Sequence, residues 1–169
     1  MSWTNSDILL YHGTDGTSAK SILANGLDPL RFSQFADFGP GFYTTTNLIQ
    51  ARKWARLKSI RTTPDIEWPD GCVIQMQIER QWLASLRSLV FLRSAIETGW
   101  QDFVRYNRTL ITPDFPGYEV VYGPVSIWKK GCSLPETQIE IHDNYDQISF
   151  HNPDNFGLRG PLLKTAVQI

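Results

Sequence analysis

Residues 72–79 read Cys-Val-Ile-Gln-Met-Gln-Ile-Glu, with every even position apolar and three of the four odd ones polar. Successive side chains of an extended backbone point to opposite faces, so this stretch is a strand with one face buried. Such a strand needs partner strands and a covering layer. Residues 7–11 (DILLY) read as a short buried strand ended by Gly13, and Tyr118–Val125, Thr137–Ile141 and Gln147–Phe150 as further strands. In the last, Ile148 and Phe150 face one way and Gln147, Ser149 and His151 the other.

Helical spacing supplies the covering layer. Thr17-Ser18 can cap a helix running to Asn25, with Ala19, Ile22 and Leu23 on one face and Gly26 as its stop. Asn47 can cap a second, from Leu48 to about Ser59, with Leu48, Ala51 and Ala55 inward. Residues 81–91 and 94–108 also look helical, the latter with Ile96, Trp100, Phe103 and Val104 on one side. Residues 28–41 make a long irregular loop. Helices in the first two-thirds and strands separated by long connections predict a single α+β domain with a mostly antiparallel sheet. A chain of 169 residues suffices to bury one core.

Composition excludes little. A net charge of −1 gives no general pull toward nucleic acid or an anionic membrane, though a local basic patch remains compatible with it. Cys72 and Cys132 match no metal-ligand or redox spacing, leaving buried thiols in a reducing compartment or one disulfide. The first residues, MSWTNSDILLYHGT, carry neither a signal-peptide pattern nor a membrane span. A cytoplasmic site of action is expected, reached either directly or by delivery without a cleaved leader.

Three histidines without HxxxH, HExxH or CxxC give a metal site little support. Phosphate-loop, dinucleotide and GxSxG signatures are missing as well. What stands out is DFGPGFYTTT at 37–46. Gly39 and Gly41 permit close approaches, Pro40 stiffens the turn, and Phe42-Tyr43-Thr44-Thr45-Thr46 is strand-like. A wall for a flat ligand and an ordinary hairpin both fit it. By elimination the polar candidates are His12, Tyr43 and Gln147. Singly, each also reads as a turn, core or solvated residue.

The blocks LYHGTDGTSAKSILANGLDP, DFGPGFYTTTNLIQARKWA, GWQDFVRYNR, YEVVYGPV and YDQISFHN, in that order, resemble an ADP-ribosyltransferase-like domain. The likeness spans about residues 8 to 152 and is closest to a bacterial and fungal family with a YHG…DFGxGFYTT…QAxxWA pattern. It implies an ADP-ribosyltransferase-like fold, two packed, mostly antiparallel sheets with flanking helices around an NAD cleft. It implies NAD as co-substrate and transfer of ADP-ribose to a protein or nucleic acid, with nicotinamide released. Carried over, His12, Tyr43 and Gln147 form the catalytic set. His12, Gly13, Thr14, Gly41, Phe42, Tyr43, Thr44 and Arg31 would hold NAD, with Tyr43 offering a stacking face and His12 donating to a ribose hydroxyl.

The sequence departs from the resemblance where many transferases carry a glutamate, since Asp146-Gln147-Ile148 offers a neutral amide. Losing a charge about 4 Å from a developing cation forgoes at most roughly 4 kcal/mol. Glu119 and Asp146 are the nearest carboxylates that could substitute. Arg105 and Arg108, one turn apart, can bind a pyrophosphate or form a solvated helix face; Arg31 and Arg52 are further cations. Trp128-Lys129-Lys130 is an exposed turn or a nucleic-acid patch, and residues 28–38 and 61–71 are long enough to dock a target. An NAD glycohydrolase and a non-catalytic NAD-binding module are the alternatives. A toxin or effector role, with a cognate antitoxin or immunity protein as partner, follows by analogy.

Overall fold

The computed structural model describes residues 6–62, 71–95, 98–109, 117–128, 139–152 and 165–168. Strand β1 (Ile8–Asp15) leads into helix α1 (Gly16–Asn25), a 3₁₀ turn (Pro29–Arg31), β2 (Phe42–Thr44) and α2 (Leu48–Thr62). Then come β3 (Gly71–Ile78), α3 (Arg80–Ser85), β4 (Ser88–Val90), a 3₁₀ turn (Arg93–Ala95) and α4 (Thr98–Thr109). Strands β5 (Val120–Trp128), β6 (Ile139–Phe150) and β7 (Thr165–Gln168) complete the order.

The strands form two sheets, β1-β3-β7 and β2-β6-β5-β4, and every pairing is antiparallel except β4 with β5. The predicted α+β class with mostly antiparallel pairing therefore holds. One core joins the sheets: Leu10, Ile74, Met76 and Ile78 from the first meet Phe42, Val120, Ile148 and Phe150 from the second. A second cluster, Phe38, Trp100, Val104, Val121 and Ile139, lies beneath α4. The sheets also touch through an isolated bridge, Tyr11 N to Thr45 O at 2.8 Å and Thr45 N to Tyr11 O at 2.9 Å.

Several expectations are corrected. The first strand does not end at Gly13 but runs to Asp15, whose side chain caps α1 by accepting from Ser18 N at 2.8 Å. Leu23 is exposed, because α1 covers the sheet through Ala19 and Ile22. The expected 81–91 helix stops at Ser85; Ser88–Val90 is extended because it pairs with Val120–Tyr122, and that tertiary pairing outweighs local preference. Strand β5 does not run from Tyr118 to Val125 but starts at Val120 and continues to Trp128, past an irregularity between Pro124 and Ser126. The two expected late strands are one: Pro124 pairs with Asp146 and Ser126 with Ile141, so residues 142–145 bulge out opposite Val125. Gln147, Ser149 and His151 are all buried, so the solvated reading of Gln147 does not hold. Ile96, Lys129, Lys130, Cys132, Thr137 and most of the 61–71 loop lie outside the described residues.

Alternation along β1 decides which of its side chains face the helix and which face the second sheet. Asn47 caps α2 as expected, its Oδ1 accepting from Ile49 N at 2.9 Å and Gln50 N at 3.2 Å. Ala51 and Ala55 pack on Val73, and the helix lies so close that a Cβ on Gly13 would be 2.0 Å from Ala51 O. With Gly13 beneath α2, its neighbour His12 points the other way, toward the space between the sheets. Gly13→Ala should destabilise the fold by about 3 kcal/mol or more, because a helix backbone would have to retreat. Gly99 is the control, since a Cβ there would meet nothing within 4 Å. Urea denaturation of Gly13→Ala and Gly99→Ala checks this, with Gly99→Ala expected to be neutral or slightly stabilising.

Candidate functional site

A cavity of about 610 Å³ opens between β1, α1, the 26–37 loop, β2 and α2, with Arg108, Ser126 and Gln147 lining it from α4, β5 and β6. His12, Gly13, Thr14, Arg31, Gly41, Phe42, Tyr43, Thr44 and Gln147 all line it. Three polar groups far apart in the chain, on β1, β2 and β6, are therefore brought together. Arg52, Arg105, Glu119 and Asp146 are not among its lining residues.

The His12 ring is partly buried, 4.4 Å from the Phe42 ring, with Nδ1 2.7 Å from Tyr43 O. A carbonyl only accepts, so Nδ1 carries the proton and donates. Burial lowers the imidazole pKa from 6.5 to about 4, with the Lys58 ammonium adding to the effect. At neutral pH the ring is thus uncharged, and Nε2 bears a lone pair. That atom has no partner among the described residues and is not sealed off from solvent. His12 therefore presents an acceptor to the cavity, not the donor expected from the sequence.

Tyr43 gives the glycine turn its purpose. Its hydroxyl donates to Gly39 O at 2.7 Å and accepts from Phe38 N at 2.9 Å, closing the turn on the strand next to it. Gly39 holds φ at +83°, a conformation other residues rarely adopt, and a Cβ there would sit 2.8 Å from Asn107 Oδ1. Asn107 is buried against the turn, donating to Phe103 O at 2.8 Å, and does not belong to a solvated helix face. Burial raises the Tyr43 phenol above its ordinary pKa, so it stays protonated as a donor. Phe42 belongs to the core, and the Thr44 hydroxyl donates to Ile148 O at 3.1 Å, so these two shape the wall from within.

Gln147 is held through its nitrogen. Nε2 donates to Asp37 Oδ2 at 2.7 Å and to Pro124 O at 3.0 Å. Both partners only accept, which fixes the amide orientation and leaves Oε1 without a partner among the described residues. The carboxylate behind it is the feature that sequence reasoning missed. Asp37 also accepts from Arg108 Nε at 2.6 Å, Ser126 N at 2.9 Å and Ser126 Oγ at 2.6 Å. Arg108 in turn lies 5.0 Å from the Trp128 ring centroid, and Trp128 Nε1 donates to Ser126 Oγ at 2.9 Å.

The two carboxylates considered as substitutes are engaged elsewhere. Glu119 accepts from Arg87 N at 3.0 Å, and Asp146 accepts from Thr46 N at 3.0 Å and from the hydroxyls of Thr45 and Thr46. Arg105 pairs with Asp102 at 2.8 Å. Lys58 and Arg61, unforeseen as site residues, line the cavity with Arg31 and Arg108. The signal for Lys58 was present, since it continues the Ala51 and Ala55 stripe at helical spacing.

The pattern that defines a family described as "Protein of unknown function (DUF3990)" matches residues 8–127. The chain belongs to that family. Its matched span takes in His12, Tyr43, Asp37 and Arg108, while Gln147 lies beyond it. Among curated proteins, none matches the chain. Among the described residues, no helix is long and apolar enough to cross a membrane, and no three His, Cys, Asp or Glu side chains gather as a metal site.

The neutral His12 has a measurable consequence for this family member. An unfolded histidine titrates near 6.5 and the folded one near 4, so the unfolded chain binds more protons between those values. Stability is therefore complete above pH 6.5 and falls as the pH drops toward 4. The loss attributable to His12 is at most about 3 kcal/mol, reduced by the solvent that reaches the ring. His151, lowered by burial, adds to the same slope. Urea midpoints measured from pH 7 to 4 should fall in the wild type and flatten in His12→Gln; an unchanged slope in that variant refutes the assignment.

Proposed function

We propose that the protein is an NAD-dependent ADP-ribosyltransferase of the ADP-ribosyltransferase-like fold, moving ADP-ribose from NAD to a macromolecular acceptor. The observation that carries this reading is the convergence of His12, Tyr43 and Gln147 on one cavity. Its volume falls within the range of small-molecule sites. Arg31, Lys58 and Arg61 on its walls suit the diphosphate of a dinucleotide, whereas Arg108 is committed to Asp37.

The chemistry follows from the acceptors. Two groups, His12 Nε2 and Gln147 Oε1, can receive hydrogen bonds from ribose hydroxyls. As the bond from ribose C1 to nicotinamide breaks, its electron pair leaves with the nicotinamide and positive charge develops on the ribose. A fixed carbonyl dipole beside that ribose stabilises the charge without reorganising. The acceptor's nucleophile then bonds to C1 and loses its proton to solvent or a base. Tyr43 keeps the turn closed and lends its ring to the wall on which the nicotinamide would lie.

Purified protein incubated with NAD should release nicotinamide, and labelled ADP-ribose should appear on protein or nucleic acid when lysate is added. Gln147→Ala should slow release by roughly 10²–10³-fold, the usual cost of one such stabilising group. Release that needs no acceptor would assign hydrolysis instead. Neither release nor saturable NAD binding would end the enzymatic reading.

A further inference from the structure

The Gln147 amide is flanked by two groups that cannot donate, Asp37 Oδ2 at 2.7 Å and Pro124 O at 3.0 Å. Only a nitrogen satisfies both. A glutamate here would set a carboxylate oxygen against another carboxylate and a carbonyl, and two carboxylates so close cannot both stay ionised. Asp37 is itself immobilised. Arg108 and the Ser126 hydroxyl hold Oδ1, while Ser126 N shares Oδ2 with Gln147. The cation thus sits on one carboxylate oxygen and the glutamine on the other.

We propose that Asp37 is the positioning residue of this site: it turns the Gln147 carboxamide oxygen toward the cavity and makes glutamine, not glutamate, the residue that this position requires. The nature of what that oxygen binds rests on the ADP-ribosyltransferase reading. The pairing itself does not. A charged acceptor on Nε2 polarises the amide and increases the negative character of Oε1. The negative charge that many such sites place in direct contact with the ligand is here one hydrogen bond further back.

The test is a double-mutant cycle on the full chain: wild type, Asp37→Asn, Gln147→Glu and the double variant, each measured for urea midpoint and nicotinamide release. In the wild-type background Asp37→Asn should lower release roughly tenfold to hundredfold, the worth of one charge-assisted hydrogen bond, and chiefly in kcat. Gln147→Glu should lower both release and midpoint. Adding Asp37→Asn to Gln147→Glu should raise both, though not fully, because Pro124 O still faces an oxygen and Ser126 N, which donates to Asp37 Oδ2, then faces the asparagine amide nitrogen. That reversal of sign supports the proposal. If Asp37→Asn lowers both measures by the same factor in either background, Asp37 is structural only and the proposal is overturned.

A second measurement needs no variant to fold. Amide protons of Gln147 held by a carboxylate should be shifted downfield and protected from exchange in ¹⁵N spectra of the wild type. A fast-exchanging amide at the solvent-exposed position would overturn the pairing. Failure of the enzymatic reading looks different: no release and no NAD binding by the wild type, with the reversal in stability intact, which supports the pairing and removes the ligand.

Discussion

A buried carboxylate fixes where the cavity wall stands. Asp37 lies in a loop without regular structure, yet it accepts hydrogen bonds from α4, β5 and β6 through Arg108, Ser126 and Gln147. Withdrawing a carboxylate from water costs several kcal/mol, recovered only if the geometry is good and its lone pairs are filled. Here both oxygens are filled, and the charge is matched by Arg108. The interaction is therefore worth more as a constraint than as a source of net stability. It ties the 28–41 loop to the second sheet, with the next residue, Phe38, seated in the cluster beneath α4.

The opposite wall depends on a missing side chain. At Gly13 the α2 backbone approaches β1 more closely than any Cβ would allow, and strand alternation then directs His12 inward at the end of the core. The two walls meet through His12 Nδ1 and Tyr43 O, a bond between β1 and β2 that joins one sheet to the other. Tyr43 in turn closes the Gly39 turn that carries Asp37 and Phe38. Packing of a helix, orientation of an imidazole and shape of a loop are thus one chain of contacts.

How far the sequence reveals this depends on the range of each interaction. The strand Gly71–Ile78 was legible because burial alternates with the pleat from Ile74 to Ile78, Val73 being buried on the other face under α2. Helix α2 was legible because Asn47 caps it and Ala51 and Ala55 repeat at helical spacing. The short edge strand β4 was not, since three residues take their conformation from β5. Nor was the continuity of β6, because the polar stretch 142–145 reads as a break and is a bulge. His12, Tyr43 and Gln147 were found by elimination and by likeness of motif, and they do share a cavity. Asp37 was overlooked within a quoted motif because its partners lie 71 to 110 positions away. No local pattern announces a charge whose partners are that remote.

The polarity of the site narrows what can occupy it. Nδ1 of His12 is committed to a carbonyl and Nε2 of Gln147 to a carboxylate and a carbonyl, so each side chain offers the cavity its acceptor atom. Burial keeps the imidazole neutral, which prevents it from reverting to a donor above about pH 4. A ligand engaged by both must bring hydroxyl or amide donors to that end, whereas the basic side chains of α2 and Arg31 suit an anionic group elsewhere on the walls. A molecule that is a polyol at one end and carries phosphates at the other satisfies both demands; one bearing a carboxylate at the His12 and Gln147 end would meet two lone pairs and be rejected.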